Sequence, residues 1–128
     1  MKFINLSNTG IKISSIGLGA MPLSLNRRPC EAESIGVIHR TLDLGINFID
    51  TADAYCLDES DKHHNEKLIF KALHLYKGNF GGYFKNIDDI VVATKGGLTR
   101  PDGRWEGDFY FSNFIIVDYV LLVSFSSR

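Results

Sequence analysis

The chain has 128 residues, 45% of them hydrophobic and 12% aromatic, and its 14 basic and 15 acidic side chains leave a net charge of -1. That composition is globular and excludes collagen-like, low-complexity and wholly disordered chains, and a near-neutral chain offers no basic face for a phosphate backbone, so no nucleic-acid partner is expected. Cys30 and Cys56 form neither a C-x-x-C pair nor a ligand cluster, and polar residues break the N-terminal segment, so reduced thiols, no secretory signal and a cytoplasmic location are expected.

Residues 1–14 read as a β-hairpin, with Lys2 to Leu6 and Ile11 to Ser14 flanking Asn8-Thr9-Gly10. A short apolar run, Ser15 to Leu18, ends in Gly19-Ala20-Met21-Pro22. Ile35, Ile38 and Leu42 then fall at helical spacing, with Gly45 as the stop, and Ile46 to Ile49 reads as a strand ending at Asp50. The charged stretch 58–67, with His63 and His64, reads as a solvated loop. Asn65 is the expected cap of a second helix whose stripe is Leu68, Ile69, Ala72, Leu73 and Tyr76, closed by Lys77-Gly78. Ile90-Val91-Val92-Ala93 is a continuous apolar run of the kind that forms a parallel strand buried on both faces, and it ends at Thr94-Lys95. The order is a hairpin followed by β-α-β-α-β, an α/β layout with right-handed crossovers.

Phe109 to Phe125 forms a divergent apolar tail rich in β-branched and aromatic residues. One or two strands are expected there rather than a membrane span, because the stretch is shorter than the roughly 20 residues a span needs and carries Asp118 in its middle.

Gly17-Leu18-Gly19-Ala20-Met21-Pro22 fails as a dinucleotide fingerprint because Pro22 occupies the third glycine position; a tight turn at a strand end remains. Asp50 ends one strand, Tyr55 follows in the next loop and Lys95 ends the neighbouring strand. Active sites of parallel α/β folds gather at the carboxyl ends of strands, so these three side chains are expected to converge. A free tyrosine titrates near about 10, a nearby ammonium lowers that value, and a carboxylate keeps the ammonium charged and oriented. Together they make a phenol able to protonate a carbonyl oxygen while hydride reaches the carbon. Each residue alone has an ordinary reading, as a turn former, a packing ring or a solvated amine; it is the joint placement that points to chemistry.

Ile16-Gly17-Leu18-Gly19-Ala20-Met21, Leu44 through Tyr55 with its G-x-N-x-I-D-T-A-D-x-Y string, Asn65-Glu66 before Ile69, and Ile90 through Gly97 resemble the aldo-keto reductases. The resemblance runs from about Ile4 to about Arg104. It implies the N-terminal portion of a (β/α)8 TIM barrel with a preceding β-hairpin: 1–14 as the hairpin, 15–106 as the first β/α units and 107–128 as the tail. It also implies an NADP-dependent oxidoreductase that reversibly reduces a small aldehyde or ketone with hydride from NADPH. Tyr55 matches the family's proton donor, with Asp50 and Lys95 as the other catalytic residues, while Gly19, Ala20, Met21 and Asp50 match positions near the nicotinamide ribose. No metal is implied.

The sequence departs from that pattern in two ways. The family's catalytic histidine follows the fourth barrel strand, whereas His39, His63, His64 and His74 all precede Lys95. Val117 to Val123 loosely resembles the strand before that histidine, with no helix between it and the third strand; chance similarity in a β-rich tail is an equal reading. A full barrel of this kind takes roughly 250 residues, so strands five to eight and the phosphate-clamping loops are absent and the barrel is incomplete. The expectation is a truncated member, inactive by itself and prone to aggregate through Phe114 to Val123. A non-catalytic fragment that lacks the histidine and phosphate loops is the alternative function. A membrane-tethered protein is a distant third, and oligomeric state is left open.

Overall fold

The structure, a computed structural model, describes residues 1–107 and the backbone of residues 121–123. Strand β1 (Phe3–Asn5) pairs antiparallel with β2 (Lys12–Ser14) in the register Phe3↔Ser14 and Asn5↔Lys12. The expected hairpin turn closes with Leu6 N–H donating to the Ile11 carbonyl at 2.8 Å and with Gly10 at φ +77°.

The main sheet holds β3 (Leu18–Gly19), β4 (Phe48–Asp50) and β5 (Val91–Thr94), all parallel, with Leu18↔Ile49↔Val92 and Gly19↔Asp50↔Ala93 in register. Helices α1 (Glu31–Asp43) and α2 (His64–Leu75) fill the two connections, so the β-α-β-α-β order is as expected. These are α/β units without a closed barrel among the described residues. Ile38 and Leu42 of α1 and Leu68, Ile69, Ala72 and Leu73 of α2 make one core with Ile49, Ile90 and Val92. Because side chains alternate along a strand, Ile49 and Val92 face the helices while Phe48 and Asp50 lie on the other face. Gly45 stops α1 at φ +77°, with the ring of Tyr83 where a Cβ would sit.

Several expectations need correction. Strand β4 starts at Phe48 rather than Ile46: the Asn47 carbonyl still accepts from Val91 N–H at 2.8 Å, but its N–H donates to Ser14 Oγ at 3.2 Å, and Ser14 N–H donates to Asn47 Oδ1 at 2.7 Å. Asn47 Nδ2 also donates to the Lys12 and Asp89 carbonyls, which ties the hairpin to the bottom of the sheet. The loop expected over 58–67 is half helix: after a 3-10 turn at Glu59–Asp61, α2 begins at His64 behind His63, which sits at φ +67°. Asn65 is therefore not the cap. It is fully buried, donating from Nδ2 to the Ala20 carbonyl (2.8 Å) and to Ser24 Oγ (2.7 Å) and accepting from Thr51 Oγ1 (2.6 Å). His39 is half-buried, and its Nε2 meets the Ala72 carbonyl at 2.8 Å, linking α1 to α2.

After Lys95 the chain makes a small hairpin, β6 (Leu98–Thr99) against β7 (Glu106–Gly107). In the tail, β8 (Leu121–Val123) lies on the free edge of β5, with Thr94↔Leu121 and Val92↔Val123. It runs antiparallel, whereas a fourth barrel strand runs parallel, so this segment is not the barrel strand the sequence loosely resembled. An open edge of unpaired N–H and C=O groups accepts a strand of either direction. The rest of the expected tail strands and of the aggregation-prone segment, 108–120 and 124–128, lies outside the described residues. No helix among the described residues is long and apolar enough to cross a membrane.

Replacing Asn65 by Ala leaves the buried Thr51 hydroxyl without its acceptor, while the Ala20 carbonyl keeps its bond from Leu23 N–H. It should cost about 1–3 kcal/mol in urea unfolding, the cost of one stranded buried group. His64 predicts an acid limit. Burial, and then the Arg28 guanidinium, push its imidazole below its ordinary 6.5, and its Nδ1 lies 2.8 Å from Ser24 Oγ. The unfolded chain therefore binds the proton more readily, so this contribution is fully present above pH 6.5 and is lost as pH falls from there through the depressed folded value. A His64→Gln variant should show a shallower loss of unfolding free energy across that window.

Candidate active site

The parallel register delivers β4 and β5 to the same rim, and the first residues past each strand carry the polar groups. Lys95 Nζ lies 2.9 Å from both carboxylate oxygens of Asp50 and 2.9 Å from the Thr51 carbonyl. The same ammonium sits 4.7 Å from the centre of the Tyr55 ring. The three side chains that sequence spacing placed on one rim thus meet.

Backbone bonds hold the loop that carries Tyr55. Thr51 N–H donates to the Ala93 carbonyl at 2.8 Å and Asp53 N–H to the Lys95 carbonyl at 3.1 Å, so the ladder between β4 and β5 continues past the strand ends. A turn then brings Tyr55 N–H to the Ala52 carbonyl at 3.2 Å. The electrostatics suit a persistent cation. Burial alone would lower the Lys95 ammonium, but the adjacent Tyr55 and Asp50 outweigh it and raise it above the ordinary lysine value. Lys95 therefore stays charged at any physiological pH.

A cleft of about 510 Å³ opens over these groups, lined by Met21, Ala54, Tyr55, Lys95, Leu98 and Trp105 among others. Of the residues matched to the nicotinamide ribose, Met21 is exposed in this cleft and Gly19 stands beside Asp50 with open space where a Cβ would be. Asp50 keeps 44% of its side chain exposed despite its bonds to Lys95. Ala20 differs: it is fully buried, and its N–H donates to the Asp50 carbonyl at 2.9 Å, so it shapes the rim instead of facing the cleft. The open space at Gly19 and the half-exposed Asp50 carboxylate leave room and an acceptor for hydroxyl groups at this rim, a chemistry that would suit a ribose. Arg100, beside the cleft, is already committed to the Leu57 carbonyl and to the face of Trp105.

None of the four histidines lines this cleft. His63 pairs with Glu66 at 2.6 Å, and Glu66 in turn accepts a bond from Thr94 Oγ1 at the end of β5. Among the described residues no group of three His, Cys, Asp or Glu side chains is placed to hold a metal. Sequence reasoning did not single out Trp105, whose ring meets Tyr55 edge-on at 6.4 Å and 90°, or Arg100 and Glu59, which clamp the hairpin that carries it. The available signal was a lone Trp shortly after a strand-end Lys, in a stretch without periodicity.

Comparison with known proteins agrees with this geometry. The family model described as the aldo/keto reductase family matches residues 15–111. The chain is 34% identical over 108 residues to L-galactose dehydrogenase of Arabidopsis thaliana, covering 84% of this chain and 28% of that protein. It is 31% identical over 99 residues to 6-dehydroglucose reductase of Novosphingobium aromaticivorans, covering 77% and 30%. Among solved structures, the holo form of the aldo-keto reductase AKR11C1 from Bacillus halodurans superposes with a TM-score of 0.60 at 30% identity, covering 84% of this chain and 30% of that one. The chain thus spans between about a quarter and a third of the length of these relatives, whose own fold is the TIM barrel. A matched segment that takes in both strand ends and the polar groups on them carries the conclusion that the chain belongs to the aldo/keto reductase family of oxidoreductases.

Proposed function

We propose that this rim serves the NADPH-dependent, reversible reduction of a small aldehyde or ketone to an alcohol. The observation that carries the reading is the Lys95 ammonium, 2.9 Å from both Asp50 oxygens and 4.7 Å from the centre of the Tyr55 ring. Gly19, Met21 and Asp50 would hold the nicotinamide-ribose end, with Ala20 fixing the backbone between them. When bound there, the nicotinamide supplies hydride to the carbonyl carbon.

The chain's own residues supply the proton. Tyr55 binds the carbonyl oxygen and donates its phenolic proton as negative charge develops there. Lys95 stabilises the phenolate that remains, and Asp50 with the Thr51 carbonyl keeps the ammonium oriented against its pull toward solvent. In the oxidative direction the phenolate takes the proton back from the alcohol.

A second reading, a non-catalytic protein, is favoured by the commitment of Arg100, a basic side chain beside the cleft, to the Trp105 ring and the Leu57 carbonyl. NADPH titration separates the two, because a non-catalytic protein should bind with a dissociation constant far above that of an enzyme.

In protein that reduces an aldehyde, Tyr55→Phe should lower kcat by roughly 10²–10⁴-fold, the usual range for a lost general acid, with cofactor affinity intact. Turnover that survives Tyr55→Phe removes Tyr55 as the donor. Lys95→Met should likewise abolish turnover, and its loss should not be rescued by raising substrate concentration.

A further inference from the structure

Four hydrogen bonds run in series from the first turn of α2 to the Lys95 ammonium. His64 Nδ1 lies 2.8 Å from Ser24 Oγ, and Ser24 Oγ accepts from Asn65 Nδ2 at 2.7 Å. Asn65 Oδ1 accepts from Thr51 Oγ1 at 2.6 Å, and the Thr51 carbonyl accepts from Lys95 Nζ at 2.9 Å. Ser24, Asn65 and Thr51 are fully buried, whereas His64 is half-buried and lines a polar pocket of about 300 Å³ outside the Tyr55 cleft. A titratable ring thus stands at one end of a buried chain of polar groups, and the proposed catalytic ammonium at the other.

Donor and acceptor roles fix the state of that ring. Asn65 spends both amide hydrogens, on the Ala20 carbonyl and on Ser24 Oγ, so Ser24 is the acceptor there. Among the described residues, the Ser24 hydroxyl proton has no acceptor other than His64 Nδ1. Nδ1 is therefore bare, and the proton of the neutral ring sits on Nε2. An imidazolium would make Nδ1 a donor and leave the buried hydroxyl without an acceptor, so Ser24 is a two-state element that His64 sets. The surroundings favour the neutral ring. Arg28, Lys62, Lys67 and Lys71 stand around it at the N-terminus of α2, while Asp61 and Glu31 are already paired with Arg28 and Lys71. We propose that His64 is a positioning residue of the site: neutral, it holds Ser24, Asn65 and Thr51 in the arrangement that offers the Thr51 carbonyl to Lys95, and protonated, it loosens that ammonium beside Tyr55. The proposal rests on the reductase reading for what Lys95 does, and adds a pH-sensitive support that reaches it from outside the cleft.

Coupling needs no turnover, so the test is NMR on the full chain, labelled with carbon-13 in lysine and histidine, between about pH 8 and pH 5. The Lys95 Cε signal, assigned by its loss in Lys95→Met, should move in step with the His64 ring signal, with a shared midpoint below 6.5. In Ser24→Ala the His64 ring should still titrate while most of the Lys95 response disappears. His64→Gln, which offers an amide oxygen and does not titrate, should hold the Lys95 signal near its neutral-pH position. If Ser24→Ala does not fold, His64→Leu decides in its place: without an acceptor, it should put the Lys95 signal near its acid position already at neutral pH. Asp50 and Tyr55 face Lys95 directly, so movement that persists in His64→Gln belongs to them. A Lys95 signal that ignores the His64 titration in the wild-type chain, or that responds equally in Ser24→Ala or His64→Gln, overturns the proposal. Turnover that survives Tyr55→Phe removes the reductase reading and leaves this coupling standing.

Discussion

Everything at the rim depends on the parallel, in-register pairing of β3, β4 and β5. Gly19, Asp50 and Ala93 stand side by side, so whatever follows each of them emerges at one level. Backbone bonds carry this alignment beyond the strands, since Asp53 N–H still finds the Lys95 carbonyl at 3.1 Å. A shift of one residue in β5 would turn its alternating faces over and aim Lys95 away from Asp50. The Asp50–Lys95 pair is better understood as a product of this register than as its cause. With side chains 44% and 32% exposed, such a pair is worth about 0–1 kcal/mol at most. Its value is positional: three oxygens at 2.9 Å leave the ammonium little freedom beside the Tyr55 ring.

Two buried asparagines hold that register from opposite ends of the sheet. Asn47 joins the hairpin to the start of β4 and to the turn before β5, through the Ser14, Lys12 and Asp89 backbone. Asn65 joins the segment after β3 to the segment after β4, through Ala20, Ser24 and Thr51. An amide offers two donors and an acceptor from one short side chain, so it can bridge two backbones and a hydroxyl where an aliphatic residue could only fill space. Full burial raises the stakes, because a half-satisfied amide in that environment costs more than an apolar one. The rim rests on Asn65 directly: Thr51, whose hydroxyl bonds Asn65, also offers its carbonyl to Lys95.

What could be read from the sequence divides along the same line. Periodic and punctuated features were legible: the stripe of α2 at Leu68, Ile69, Ala72 and Leu73, the stop at Gly45, and the buried run at Ile90 to Ala93. The convergence of Asp50, Tyr55 and Lys95 was legible because strand ends are positions that local sequence defines. The roles of Asn47 and Asn65 were not, since an amide that bonds residues tens of positions away looks like an ordinary strand start or helix cap. The charged stretch 58–67 misled for a related reason. Composition suggested solvent, but Asp61 accepts from Leu57 N–H and Glu59 accepts from Arg100 N–H, so these charges are clamps across loops.

The placement of β8 follows from the same edge chemistry. β5 is buried on both faces yet ends the parallel set, so its outer N–H and C=O groups need partners, and β8 supplies them with Thr94 opposite Leu121. An antiparallel neighbour satisfies those groups as well as a parallel one, but it runs toward the opposite rim. A parallel strand here would deliver its next residue to the rim beside Lys95, where the family places its histidine. β8 instead enters from that rim and carries its later residues away. The groups on the described rim therefore come from β3, β4, β5 and the hairpin after Lys95, with phenol, ammonium and carboxylate brought to one level by register.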